Sequence, residues 1–292
     1  MSTSRFMSTA VLLLCAAAPS LHAQDADSVT DATSLRNHLE RSYVTIGPLQ
    51  VGNGPPLLFE GNISPAFLIT ETKRAALVLT PKVILRMRTG DSWPVRTPSY
   101  MPRMSLYFFR GPPTASAARF FFVTSSHHSN GQEGDFYLPN GEINDRDGSF
   151  STNFVEVGFQ DIELDEEGVS NVRASLEVHP SFVMEPELRG QYSQVRLHLG
   201  STYTFNDRTA TSIELSHLFG DAGPASDSFL KRFQLSVTSS FTCPGLSEVA
   251  FFGNVYLGQD YYNMQFERYR SMLRLGIITT FRNRPGPIAT TR

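Results

Sequence analysis

Apolar and polar side chains alternate along most of this sequence, in short segments that are separated by Gly, Pro, Asn and Asp. In the segment 172–179, for example, the even positions are apolar and the odd positions are polar or charged. Successive side chains of a β-strand point to opposite faces, so the pattern predicts strands that have one apolar face. Segments of this kind give about twelve strands, an even number as single-chain bacterial barrels require.

The predicted fold is all-β, an antiparallel transmembrane β-barrel. After the N-terminal segment the chain has no apolar run of about 18 residues, the length that a membrane helix needs. Strands closed into a barrel satisfy their backbone polar groups internally and keep overall hydropathy low, as the mean hydropathy of -0.18 allows. A soluble β-sandwich alternates in the same way. The many mid-strand Arg and Glu residues, the export signal and the lack of a disulfide framework favour the barrel.

The chain divides into four predicted segments. Residues 1–23 resemble a secretory signal peptide, with an early Arg, an apolar stretch and small residues at its end. Residues 24–55 have little periodicity and are predicted to form an N-terminal arm, residues 56–281 the barrel, and residues 282–292 a polar C-terminal tail. The net charge of -3 and the scattered basic residues give no indication of a nucleic-acid partner. These features predict an exported protein of the bacterial outer membrane.

One predicted strand ends in the polar run His127-His128-Ser129-Asn130-Gly131. In an extended strand residues two apart share a face, so His127 and Ser129 are neighbours. A serine becomes a useful nucleophile when an adjacent imidazole takes its proton, and a third group must orient that imidazole. Asn153 on the following strand is a candidate for this third role. The alternative is a polar strand end entering a loop, where His, Ser, Asn and Gly are common.

The parity of the second strand indicates which way the site faces. Asn153 shares its parity with the apolar Val155 and Val157, which are predicted to face lipid. Polar side chains against hydrocarbon cost free energy, so their presence there suggests a function. A substrate that moves laterally in the membrane reaches such a site, which points to a lipid ester.

These residues resemble the active-site core of the outer-membrane phospholipase A family, a His-x-Ser-Asn-Gly strand end followed by an Asn in the next strand. Weaker likenesses lie at residues 92–96, 177–180 and 261–275. The resemblance implies a twelve-stranded barrel that hydrolyses phospholipid acyl esters as a phospholipase A1/A2, and also as a lysophospholipase. By position it assigns Ser129 as nucleophile, His127 as base, Asn153 as the orienting residue and Gly131 as an oxyanion donor.

The resemblance also implies a calcium ion and a homodimer. The family's calcium ligands fall on the Gln132 carbonyl, on the Ser149 hydroxyl and, from a second copy of the chain, on the Ser92 carbonyl. Calcium accepts oxygen ligands of these kinds. Bound there, Ca²⁺ would stabilise the negative charge that develops on the substrate carbonyl.

Two other interpretations of the same residues stay open at this stage. The chain could be a non-enzymatic barrel, such as a small porin or a structural outer-membrane protein. It could also be a family member that kept the barrel and lost the chemistry. Unlike the enzyme, both of these barrels are expected not to hydrolyse phospholipid.

Overall fold

The computed structural model describes residues 39–279 apart from 91, 93, 111–116, 165–168, 207, 224–226, 244 and 246–248. The predicted signal peptide and C-terminal tail therefore lie outside the described residues. The strands are β1 (Tyr43–Thr45), β2 (Val51–Gly52), β3 (Leu57–Ile63), β4 (Phe67–Glu71), β5 (Ala75–Arg88), β6 (Ser99–Phe109), β7 (Ala117–Ser129), β8 (Ser151–Leu164), β9 (Val169–Val178), β10 (Val195–Asn206), β11 (Thr209–Phe219), β12 (Phe233–Phe241), β13 (Val249–Gln259) and β14 (Tyr269–Thr279).

These strands form one closed antiparallel barrel. From β5 to β14 each strand pairs with the next along the chain, and β1 closes the sheet by pairing with both β3 and β14. Since β1 and β2 both pair with β14, and β3 and β4 both pair with β5, the fourteen segments occupy twelve positions. The predicted twelve-stranded barrel is confirmed.

The sheet begins earlier than the sequence pattern indicated. β1 and β2 lie within residues 24–55, the segment predicted to be an arm, yet both are paired with β14. They are three and two residues long, and the turn Gly47–Leu49 separates them. Segments this short contain too few residues for a period of two to be recognised.

The two faces of the barrel wall differ as predicted. Along β6 the exposed positions Met104, Leu106 and Phe108 alternate with the buried Ser105 and Tyr107. The exposed positions carry apolar side chains on the outer wall, which is the arrangement of a barrel that contacts lipid. The fold is that of a multi-pass outer-membrane protein, as predicted.

Charged residues inside the barrel pair with one another. Arg86 bridges two carboxylates, with Nε 2.6 Å from Glu60 Oε2 and Nη2 2.9 Å from Asp260 Oδ1. Arg274 and Arg270 add further ion pairs to the same two carboxylates, at 2.9 and 2.8 Å. These mid-strand arginines are therefore buried in the lumen and paired there with carboxylates.

The connections at the two ends of the barrel differ in length. At the end where β7 finishes, the strands are joined by residues 89–98, 130–150, 179–194, 220–232 and 260–268. Most connections at the other end are shorter, and in outer-membrane barrels the longer loops are extracellular. Three of the long loops share a buried cluster at the barrel mouth, made of Phe136, Phe150, Met184, Leu188, Tyr192, Met264 and Phe266. In the described part of the chain, helical segments are short, and none could cross a bilayer.

Candidate active site

The candidate residues lie where β7 ends and β8 begins, on the extracellular side of the outer wall. The two strands are paired over their whole shared length, with His127 opposite Asn153 and Ser129 opposite Ser151. Their outward positions nearer the membrane centre are exposed apolar residues, among them Val123 and Val155. Register and parity therefore bring the predicted His, Ser and Asn to one patch of the lipid-facing surface.

A chain of two hydrogen bonds fixes the imidazole. His127 Nδ1 lies 2.9 Å from Asn153 Oδ1, and Asn153 Nδ2 donates to the carbonyl of Val183 at 3.1 Å. Because an amide nitrogen only donates, its bond to Val183 leaves Oδ1 to accept from the ring. The arrangement assigns the proton to Nδ1 of His127. Its Nε2 then has a free lone pair, which is the state that a general base requires.

Ser129 is the next residue on the same face of β7. Both Ser129 and His127 are half-buried, and the pleat puts residues two apart side by side. Among the described residues the Ser129 hydroxyl makes no hydrogen bond to the ring. Catalytic hydrogen bonds are often long without substrate and tighten when it binds.

Backbone geometry at Gly131 favours glycine. Its φ is +65°, in the left-handed region that favours glycine. A Cβ at this position would also come within 3.3 Å of the Tyr100 ring, which belongs to the residue paired with Ser129 on β6. The backbone conformation therefore favours glycine at this turn, which follows the serine by two residues.

Asn130, between the serine and this glycine, was part of the recognised motif but had no assigned role. It is fully buried, and its side chain holds three backbone groups of the site loop (residues 130–150). Nδ2 donates to Gly148 O at 2.6 Å, and Oδ1 accepts from the N–H groups of Phe150 and Gln132 at 3.1 and 3.2 Å. One amide thereby joins the two ends of the loop beside Ser129.

We expect Asn130→Ala to loosen the site loop. Three hydrogen bonds of about 1 kcal/mol each are lost, so local opening becomes at least about tenfold more frequent. Limited trypsin digestion at the exposed Arg146 measures this opening. Asn140→Ala, at the exposed tip of the same loop, is the control; equal cleavage rates in the two variants would contradict the assignment.

The predicted calcium ligands Gln132 and Ser149 lie in the same loop. Ser149 N donates to Gly134 O at 2.9 Å, which brings Ser149 next to the segment that contains Gln132. Ser92 is on a different loop, exposed and with a φ of 63°. Within the described residues no group of three or more His, Cys, Asp or Glu is arranged to hold a metal.

The structure adds one carboxylate to this set that the sequence did not indicate. The Ser149 hydroxyl donates to Glu185 Oε1 in a short hydrogen bond, and the Glu185 N–H donates to Ser151 O at 3.0 Å. The other carboxylate oxygen, Oε2, is buried and has no partner among the described residues. Burial raises the pKa of the Glu185 carboxyl. An unpaired buried carboxylate oxygen is costly, and a cation beside Ser149 would remove that cost, so these residues fit calcium.

Two acidic residues that could have joined a metal site have other partners. Asp145 pairs with Arg88 at 2.9 Å and with Arg268 at 3.6 Å. Asp147 accepts a hydrogen bond from Asn144 Nδ2 at 2.7 Å. The ion pairs of Asp145 hold the site loop to the barrel mouth, and the bond of Asp147 lies within the loop. His128, on the opposite parity, is buried in the lumen against Ser99 Oγ at 3.1 Å.

Fold and site together define a class of protein, a transmembrane β-barrel with a His-Asn pair and an adjacent serine on its lipid-facing wall. Among solved structures, outer membrane phospholipase A from Escherichia coli superposes with a TM-score of 0.59 at 13% identity, covering 86% of this chain and 98% of that one. A calcium-bound dimer of the outer membrane phospholipase of Salmonella typhi gives 0.58 at 14% identity, covering 82% and 90%.

No protein-family model matches the chain, and no curated protein matches it. At these identities the likeness establishes the fold. The resemblance that the sequence motif indicated is confirmed at that level.

Proposed function

We propose that the protein is a calcium-dependent phospholipase A that hydrolyses acyl esters of phospholipids in the bacterial outer membrane. The observation that carries the proposal is the oriented imidazole of His127 beside Ser129, on a wall that faces lipid. A polar hydrogen-bonded pair in this position has no evident structural use. Several polar pairs inside the lumen, by contrast, join strands that would otherwise expose charges.

In the proposed reaction the Ser129 hydroxyl attacks the ester carbonyl while His127 Nε2 takes its proton. The resulting imidazolium donates through Nδ1 to Asn153, and the same Nε2 then protonates the leaving alcohol. Water repeats the sequence on the acyl-enzyme and releases the fatty acid. A neutral amide keeps the tautomer as a carboxylate would, but stabilises the imidazolium less.

The negative charge on the carbonyl oxygen needs donors beside Ser129. The Gly131 N–H follows the nucleophile by two residues and is one such donor. Ser149, Glu185 and the Gln132 carbonyl would hold the calcium ion, which supplies a positive charge for the oxyanion when it is bound. The carboxylate of Glu185 gives this site a negative charge, which carbonyl and hydroxyl ligands alone do not provide.

The position of the site selects the substrate. His127 and Ser129 are continuous with the apolar outer wall, so the acyl chain of a membrane lipid reaches the serine without leaving hydrocarbon. A water-soluble ester would have to enter the bilayer first. The proposed substrate is accordingly a phospholipid or lysophospholipid.

A second copy of the chain completes the proposed site. The Salmonella relative is a dimer with bound calcium. Two barrels in contact through these outer walls would bring the exposed Ser92 of one copy toward the calcium site of the other, and would enclose the acyl chain between them. Activity is then expected to rise with protein concentration in detergent.

The buried ion pairs weigh against the alternative of an open pore. Glu60 and Asp260 bind Arg86, Arg270 and Arg274 across the described part of the lumen. Truncating one partner of such a buried pair is strongly destabilising, so these side chains do not swing aside readily.

We expect Asn153→Ala to lower kcat by about 10²-fold with little change in KM. This is less than the roughly 10⁴-fold cost of losing the carboxylate from a Ser-His-Asp triad, since the amide contributes mainly orientation. Fatty-acid release from mixed micelles measures the effect. Asn153→Asp restores the acceptor for His127 Nδ1 and is expected to recover most of the rate; failure of both variants would contradict an orienting role.

A further inference from the structure

The extracellular rim carries a second unusual group of outward residues, four strands along from the candidate active site. At the ends of β11 and β12, His217 is paired with Phe233, and both lie on the outward parity with Leu215 and Leu235. Their rings are 4.6 Å apart between centroids. The His217 imidazole therefore lies on the lipid-facing wall, next to Leu215 and Leu235 on their extracellular side.

Three phenylalanine rings surround this histidine. Besides Phe233, the rings of Phe219 and Phe229 lie 4.5 and 5.8 Å from the imidazole. Nδ1 of His217 is buried and has no hydrogen-bond partner among the described residues. Aromatic side chains are common at the interface of a barrel with its bilayer, but a histidine enclosed by them with an unpaired nitrogen has an unmet hydrogen-bonding need.

The turn that precedes β12 is exposed and apolar at its tip. Phe229 and Leu230 are 68% and 75% exposed, although they are large hydrophobic side chains. The Phe229 ring packs on Phe233 at 5.2 Å, so the turn folds toward the outer wall. An apolar turn in this place continues the lipid-contacting surface to the headgroup level.

Two positively charged side chains follow the apolar tip of this turn in the sequence. Lys231 is exposed, and Arg232 is anchored by hydrogen bonds from Nη1 to Gly220 O at 2.6 Å and Leu218 O at 3.3 Å. The anchored arginine holds the turn against the end of β11, and the neighbouring Lys231 is exposed to solvent. A cation, an imidazole with an unpaired nitrogen and an apolar surface below them match a lipid with an anionic head.

We propose that His217, Phe229, Leu230 and Lys231 form a binding site for an outer-leaflet lipid whose phosphate head carries a net negative charge. The phosphate lies against Lys231 and reaches the His217 imidazole when the exposed Phe229 ring turns aside. The acyl chains run down Leu215 and Leu235. Continuity with the lipid-facing wall argues for a membrane lipid as the occupant rather than a soluble anion. The site is independent of the candidate active site and of any hydrolysis.

Native mass spectrometry of the purified full chain tests this site with non-hydrolysable, ether-linked lipids of equal chain length. One lipid carries a phosphatidic-acid head and the other a phosphocholine head. One surface Lys contributes about a fivefold preference for the anionic lipid, so we expect at least that ratio in the wild type. Lys231→Gln should remove it. Lys73→Gln, an exposed lysine at the opposite end of the barrel, should leave it unchanged.

Two further arms separate the contributions. His217→Gln should weaken binding of the phosphatidic-acid analogue. The double variant Phe229→Ser with Leu230→Ser should weaken binding of both lipids. Gel mobility before and after heating verifies that each variant forms the folded barrel. Inorganic phosphate in millimolar excess should not displace the lipid. Equal binding of the two lipids, an effect of Lys73→Gln equal to that of Lys231→Gln, or displacement by phosphate would each overturn the proposal.

Discussion

The Ser129→Ala variant is expected to release no measurable fatty acid from phospholipid micelles in the presence of calcium. Removing the nucleophile of a hydrolytic triad lowers kcat by about 10⁴-fold or more, because the remaining binding groups cannot form the acyl-enzyme. The hydroxyl of Ser129 is half-buried on the outer wall and makes no hydrogen bond within the described residues, so its loss leaves the barrel intact.

Ser125→Ala is the matched control for this experiment. Ser125 lies on the same strand and the same outward face, four residues from Ser129, and it is exposed. It should hydrolyse phospholipid at the wild-type rate. Wild-type activity in Ser129→Ala would exclude the triad, and inactivity of the wild type itself would favour a barrel that lacks the chemistry.

Removing calcium is expected to have the second largest effect. In excess chelator we expect the rate to fall by about 10²- to 10³-fold, the range that loss of one oxyanion donor produces, and to recover fully when Ca²⁺ is restored. The physical reason is that the proposed ion supplies positive charge to the oxyanion. Glu185 would hold that ion, because its Oε2 is buried and has no partner among the described residues.

Glu185→Gln separates this calcium site from other effects of chelation. The variant should need at least about tenfold more calcium for half-maximal activity, and calorimetric titration of calcium without substrate should show the same weakening. Glu187→Gln, an exposed carboxylate two residues further along the same loop, is the control. Equal calcium affinity in the wild type and Glu185→Gln would remove Glu185 from the proposed set of ligands.

Much of the barrel could be predicted from the sequence because the pattern that indicates a strand lies within that strand. Each strand displays its own alternation, and the parity of Asn153 with Val155 was enough to indicate the outer wall. Pairing of His127 with Asn153 followed once β7 and β8 were adjacent strands. The short β1 and β2 escaped recognition because their few residues display no period.

The missing parts of the site depend on contacts between distant segments. The Val183 carbonyl, which orients the Asn153 amide, is a backbone group and leaves no trace in the side-chain pattern. Glu185 reaches Ser149 only because the 179–194 loop folds over the start of β8. Asn130 stood inside the recognised motif, yet its three backbone partners lie across a loop whose closure the sequence did not indicate.

Covalent labelling tests the central claim most directly. A long-chain alkyl sulfonyl fluoride in micelles reacts with a serine only when a neighbouring base activates its hydroxyl and the lipid-facing side admits the chain. Peptide mass analysis should find the sulfonyl group on Ser129 in the wild type and at most a trace of it in His127→Ala. Labelling of Ser129 at the same rate in both proteins, or labelling of other outward serines such as Ser125 instead, would contradict the account.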